Sequence, residues 1–344
     1  MRLLFACLTG LILGLASPVF PADAARPAKE PALQESFYGV DILDTRAWIV
    51  GYYGTILSTK DRGLTWEIQQ NPTRSALFQV RFLNENKGWI SGSYGTLLAT
   101  TDGGKNWRPQ PTATTEHLFG LTFINERTGW AVGSRGTILH TVDGGHSWSH
   151  RSLPQDLTFS SVVFSNATRG WIVGEFGVIF QTQNGGKSWN KQKSPVEVSF
   201  ASGESRNLFA VLFPKPDDGW AFGLDGVVLK SRGGSGWKVA RQQEKTGSSP
   251  GANHLFAAAA FDGGLWAVGE RGTLLQSDAD GNRWRQAPAE ITRASLNGIA
   301  FGKDGFGLVV GNRGVILRTD NSGTTWQRLK ISPQNQGKGL PAAP

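Results

Sequence analysis

The chain has 344 residues, of which 45 are Gly and 13 Trp, with one Cys, one Met and a formal net charge of +8. Glycine at about twice its ordinary usage and only 18% charged residues disfavour long helices, while 39% hydrophobic residues suffice for a buried core. A single cysteine supplies neither a disulfide nor the ligand set of a zinc or iron–sulfur centre.

In chain order, residues 1–24 read as an export signal: Arg2, an apolar run from Leu3 to Ala16, then Ala22-Asp23-Ala24 as a small-residue cleavage pattern. Cleavage there removes the only cysteine. Lipid attachment at Cys7 is the weaker alternative, because only Leu3 to Ala6 precede it as an apolar stretch. The run falls short of the ~20 apolar residues of a membrane span and is followed by Pro18 and Pro21, so no integral span is expected. Residues 25–36 form an N-terminal segment, 37–332 the folded domain, and 333–344 a disordered tail.

The folded region is a repeat. Trp48-Ile-Val-Gly51-Tyr-Tyr-Gly54-Thr-Ile-Leu recurs from Trp89, Trp130, Trp171, Trp220 and Trp266, and from Leu308 where the tryptophan is replaced, at steps of 41, 41, 41, 49, 46 and 42 residues. A second tryptophan closes each copy, at Trp66, Trp107, Trp148, Trp189, Trp237, Trp284 and Trp326. All 13 tryptophans therefore belong to one lattice. Alternating apolar residues in each copy, separated by Gly and Asp/Asn clusters, predict four short antiparallel strands. Seven such units predict an all-β, seven-bladed propeller. An open β-solenoid is the lesser alternative.

Before the closing tryptophan runs a second motif, Thr59-x-Asp61-x-Gly63-x-x-Trp66, with Asp102, Asp143, Asn184 and Asn321 at the acidic position of blades two, three, four and seven. This is the Asp box, a structural turn in which the Asp or Asn side chain accepts backbone N–H bonds and the glycine takes a positive φ. Blades five and six depart from it, with Ser231 to Trp237 one residue short and Ser277 to Trp284 altered at the acidic position.

Function on a propeller comes from its loops. The turns between second and third strands and the blade-to-blade connections share one face. The third position of the Gly-x-x-Gly turn reads Tyr53, Tyr94, Arg135, Phe176, Asp225, Arg271 and Arg313 through the seven blades. Aromatic residues and arginines are the types that anchor protein interfaces. Two insertions, 190–207 and 239–254, add Lys191, Lys193, Arg206, Arg241 and Lys245 against Glu197, Glu204 and Glu244, and shorter connections add Arg74 and Arg151. Candidate partner-binding residues are therefore Arg135, Arg271, Arg313, Tyr53, Tyr94, Phe176, Arg74 and Arg151.

With these motifs in view, residues 37 to about 330 resemble the photosystem II stability/assembly factor family. The resemblance covers all seven blades and implies an exported propeller without catalysis that helps assemble a membrane-protein complex; in photosynthetic members this is the thylakoid lumen and the reaction-centre D1 protein. It also implies an arginine-rich patch, for which the turn arginines are candidates. The chain departs from the cyanobacterial pattern in lacking a well-placed lipid-attachment cysteine.

The expectation is a non-enzymatic, monomeric, periplasmic protein (lumenal in a photosynthetic host) that binds a membrane protein or its exported segment. An accessory role to a membrane transporter is one alternative. A glycoside hydrolase is another. A sialidase needs three arginines, for which Arg135, Arg271 and Arg313 could stand, but its late-chain Tyr nucleophile has no counterpart, since the tyrosines are Tyr38, Tyr52, Tyr53 and Tyr94. A xyloglucanase needs two facing carboxylates, for which Asp156 and Glu290 are the only proposal. No cofactor is expected. His146 and His150 lie on a strand and turn, where their spacing does not converge on a metal. Export removes nucleic acid as a partner despite the positive charge.

Overall fold

The computed structural model describes residues 35–202, 204, 206–233, 236–241, 253–261, 264–287 and 291–331. The expected signal peptide, the N-terminal segment up to residue 34 and the tail from 333 lie outside these residues, as do Glu244, Lys245 and Glu290.

The described residues form seven four-stranded antiparallel sheets, each built from four consecutive strands. The first comprises β1 (Phe37–Leu43), β2 (Arg46–Gly51), β3 (Ile56–Thr59) and β4 (Glu67–Ile68). First strands of successive blades contact one another in a closed cycle, the seventh returning to the first, so they surround the axis of a seven-bladed propeller. Fourth strands form the outer edges and are only two residues long in blades one, two, three and seven, which keeps exposed pairing edges short.

An aromatic joint holds neighbouring blades together. Trp48 of blade one lies flat on Phe82 of blade two, with ring centroids 3.5 Å apart, and Phe82 stands at 85° to Trp107 of its own blade. The same three-ring contact recurs as Trp89–Phe123–Trp148, Trp130–Phe164–Trp189 and Trp171–Phe213–Trp237, with stacking distances of 3.7, 3.6 and 3.7 Å. In these four joints room for the phenyl ring comes from a glycine at or next to the start of the same blade's second strand, Gly88, Gly129, Gly170 and Gly219. A Cβ at Gly129 would lie 2.5 Å from the Phe123 ring, and one at Gly88 equally close to Phe82.

The ring closes without a shared sheet, because blades one and seven are each contiguous in sequence. At this seam Leu308 replaces the strand tryptophan and Ile42 replaces the phenylalanine, and both pack with Trp66 and Phe306 in one buried cluster. Polar contacts reinforce the seam: Gly314 N–H donates to the Glu35 carbonyl (2.7 Å), Asn297 Nδ2 to the Phe37 carbonyl (2.8 Å), and Arg318 Nε to the Arg62 carbonyl (2.6 Å).

The Asp boxes fold as read. In blade three Asp143 Oδ1 accepts the Thr141 hydroxyl (2.7 Å) and the Ser147 N–H (3.0 Å), its Oδ2 accepts the Ser147 hydroxyl (2.6 Å), and Gly145 N–H donates to Thr141 Oγ1 (2.9 Å). Asn184 and Asn321 make the equivalent bonds through their amide oxygens. Blade six is a correction to the sequence reading. Asp278, one residue earlier than the usual acid, accepts the Asn282 N–H (2.8 Å) and Trp284 Nε1 donates to the Gly281 carbonyl (3.0 Å), so the turn is kept with a shifted acceptor.

Two outcomes follow from these contacts. Phe123→Ala removes the centre of a three-ring joint and should cost about 3–5 kcal/mol, against about 0.5–1.5 kcal/mol for Ile42→Val at the aliphatic seam, measured by urea unfolding. The Ser147 hydroxyl and then its N–H hold the Asp143 carboxyl far below the ordinary carboxylate range. A carboxyl depressed in the folded state contributes stability that is complete above its unfolded value, about pH 4, and is lost as the pH falls through the folded value. Asp143→Asn should therefore change stability near neutral pH by less than about 1 kcal/mol, because Asn184 shows that an amide fills the role, yet lose less of it on acidification than the parent chain. Thermal melts at neutral and strongly acid pH check this.

Candidate partner-binding face

Every turn between second and third strands has one construction. In blade one Thr55 N–H donates to the Tyr52 carbonyl (3.1 Å), and the two central residues, Tyr53 (φ 52°) and Gly54 (φ 74°), are both left-handed. This is a type I′ turn, whose twist matches the flanking strands and whose preferred sequence is Asn-Gly. The glycine is kept in all seven blades, but the residue before it is Tyr53, Tyr94, Arg135, Phe176, Asp225, Arg271 and Arg313, at φ between 52° and 58°. Only Asp225 is a residue the turn itself favours. Large side chains held in a backbone region that disfavours them point to a requirement outside the turn.

Each turn is pinned to its own blade. The N–H after the first turn glycine donates to the carbonyl just ahead of the blade's first strand: Tyr52 to Ser36, Ser93 to Ala76, Ser134 to His117, Glu175 to Thr158, Leu224 to Asn207, Glu270 to His254 and Asn312 to Ser295, at 2.8–3.0 Å. The approach leaves no space for a side chain, since a Cβ at Gly133 would sit 1.7 Å from the His117 oxygen. Turns are tied to the next blade as well. Tyr94 N–H donates to His117 Nδ1 (3.3 Å), Phe176 N–H to Asn207 Oδ1 (3.2 Å) and Asp225 N–H to His254 Nδ1 (3.1 Å). Turns and blade-to-blade connections thus form one interlocked face.

Tyr53 and Tyr94 are 63% and 70% exposed, and Arg74, Arg151 and Arg313 are exposed, whereas Phe176 is half-buried. Arg135 lies 3.9 Å from Glu116 and Arg271 3.8 Å from Glu270, both loose, solvent-exposed ion pairs. Among the described residues of the insertions, several cations are already engaged. Lys191 pairs with Glu197 and Arg206 with Glu204, and half-buried Arg241 donates to the Gly226 carbonyl (2.7 Å). Asp156 is exposed. His146 contacts the Asp143 carbonyl and His150 the Thr112 carbonyl, so the two imidazoles are engaged separately; among the described residues no group of His, Cys, Asp or Glu is arranged to hold a metal. No helix among them is long and apolar enough to cross a membrane.

One set of residues escapes the repeat pattern. Each first strand carries a β-bulge at its start, leaving its second residue without a partner: Tyr38, Phe78, Phe119, Ser160, Phe209, Phe256 and Asn297. A bulge re-aims a side chain. Here neighbouring bulge rings meet across blades, Tyr38 with Phe78 (5.8 Å), Phe78 with Phe119 (5.0 Å) and Phe209 with Phe256 (5.4 Å). Strict period-2 alternation hides them, although the recurring pairs Phe37-Tyr38, Leu77-Phe78, Leu118-Phe119, Leu208-Phe209 and Leu255-Phe256 were a usable signal.

The family profile described as photosynthesis system II assembly factor YCF48 matches residues 28–112, 107–198, 235–320 and 260–343. No curated protein sequence matches the chain. Among solved structures, one titled YCF48 bound to D1 peptide is 21% identical, with a TM-score of 0.66 over 84% of this chain and 96% of that one. YCF48 from Cyanidioschyzon merolae is 23% identical, with a TM-score of 0.63 over 84% and 97%. An ancestral GH74 enzyme is 17% identical, with a TM-score of 0.68 over 87% of this chain and 47% of that one. At these identities the structural matches establish the propeller fold.

If the turn residues are held for a partner, replacing one by the residue the turn prefers should separate folding from binding. Tyr94→Asn should leave stability unchanged or raise it by up to about 1 kcal/mol, because Asn tolerates the left-handed region. A loss of stability in thermal melts would mean that Tyr94 serves the fold.

Proposed function

Because the chain belongs to the photosynthesis system II assembly factor YCF48 family, we propose that it is an exported binding protein that holds a segment of a membrane protein during assembly of a complex. The observation that carries this reading is the set of seven type I′ turns whose first left-handed position is aromatic or arginine in six blades, against the preference of the turn. The similar solved structure of YCF48 bound to D1 peptide supports a peptide-sized partner on this fold.

The mechanism is recognition without turnover. A rigid face, pinned by backbone bonds, binds without first ordering itself, which keeps more of the contact energy as affinity. Arginines at the rim pair bidentately with carboxylates and steer encounter, while exposed tyrosines supply apolar area at low entropy cost. The proposed contacts are Arg135, Arg271 and Arg313 with Tyr53, Tyr94 and Phe176, and Arg74 and Arg151 at the periphery. The protein acts as a monomer in the periplasm, or in the thylakoid lumen of a photosynthetic host.

Replacing Arg135, Arg271 and Arg313 together by Glu should reduce co-purification with the membrane client by tenfold or more, with an unchanged thermal melt, and wild-type binding should weaken as salt rises. Undiminished co-purification by the triple variant, in cross-linked membranes from the native host, would remove the arginines from the interface.

A further inference from the structure

The inner rim of the face is divided by chemistry. Ser160 and Asn297 interrupt the bulge positions, leaving an aromatic arc across blades one to three and a shorter one in blades five and six. The larger arc continues outward from the axis. His117 lies 6.0 Å from Phe119 and 5.0 Å from the ring of Tyr94, and Phe78 lies 6.5 Å from His117, so Tyr38, Phe78, Phe119, His117 and Tyr94 make one connected strip. In the turn of blade one the exposed rings of Tyr52 and Tyr53 lean on each other (4.3 Å). Tyr38, Phe78 and Phe119 are only partly buried.

Positive charge stands at both ends of the strip. At the blade-three end is Arg135, only loosely paired with Glu116. At the other end is Arg313, exposed, whose turn is tied to the entry of blade one through Gly314 N–H and the Glu35 carbonyl. We infer that this strip is a subsite for apolar side chains of an extended peptide, and that its preferred occupant carries carboxylates on either side of a short apolar core. The inference rests on the partner-binding reading and adds the chemistry of the segment bound. Aromatic rings supply contact area that salt does not weaken, and the flanking guanidinium groups select acidic neighbours and set the register of the core over the rings.

The test uses fluorescein-labelled synthetic peptides titrated against the full mature chain: a Leu-Phe-Leu core flanked by Glu, the same flanks around Ser-Ser-Ser, and the same core flanked by Lys. The first should bind at least about tenfold more tightly than either of the others at low salt, and at high salt its advantage over the Ser core should persist while that over the Lys flanks shrinks. Phe78→Ala with Phe119→Ala should abolish the preference for the apolar core and keep the preference for Glu flanks. Tyr94→Ser, at an exposed turn, repeats the measurement without touching the packed rim, so a folding defect in the double variant does not decide the result. Equal binding of the Leu-Phe-Leu and Ser-Ser-Ser peptides, or no binding of any peptide, overturns the subsite. So does a shift of the wild-type chain, but not of Tyr94→Ser, to a dimer in sedimentation. Each of these leaves the wider reading to the client co-purification above, which can succeed without any dependence on Phe78 or Phe119.

Discussion

The three-ring joint, repeated at the four interfaces from blade one to blade five, is the contact on which the rest of the molecule depends. No backbone hydrogen-bond ladder crosses from one sheet to the next, so side-chain packing carries most of each interface. A tryptophan lying flat on a phenylalanine, with a second tryptophan at right angles, combines large apolar burial with two favourable ring geometries. The glycine under the phenylalanine, the Asp-box turn that delivers the second tryptophan and the length of each repeat all serve to bring these rings together. Substituting the glycine would disturb the joint as surely as substituting a ring.

The seam between blades seven and one is built differently. A tryptophan missing at Leu308 and a phenylalanine missing at Ile42 are complementary losses, since they fall on opposite sides of the same interface and are both filled by aliphatic side chains. Main-chain carbonyls of Glu35, Phe37 and Arg62 then accept bonds from blade seven, giving the seam polar contacts in place of ring stacking. The chain thereby closes a ring with each blade complete in itself, and its entry and exit strands stay in separate sheets.

The fold was almost wholly legible in the sequence because tryptophan is rare and the lattice repeats it at fixed positions. The turns were legible too, through their glycines. What period-2 reading missed were the bulge residues, since a bulge breaks the alternation on which such reading depends, and Phe78 and Phe119 then look like ordinary strand residues. Charge composition also misled in the insertions, where Lys191 and Arg206 already have partners close by in sequence. In blade six the box looked lost because the accepting carboxylate had moved by one position, to Asp278. In each case the sequence carries the residue types, and only the register of the backbone says what they meet.

The type I′ turns have a consequence for how such a face changes. Backbone path at each turn is fixed by the following glycine and by the bond to the blade's own entry carbonyl, neither of which involves the side chain before the glycine. Seven positions can therefore be exchanged one at a time with the scaffold held still, and the existing set already spans phenol, phenyl, guanidinium and carboxylate. A protein built this way acquires a new partner by point substitution at seven addresses, where a loop-based binding site would have to be remade.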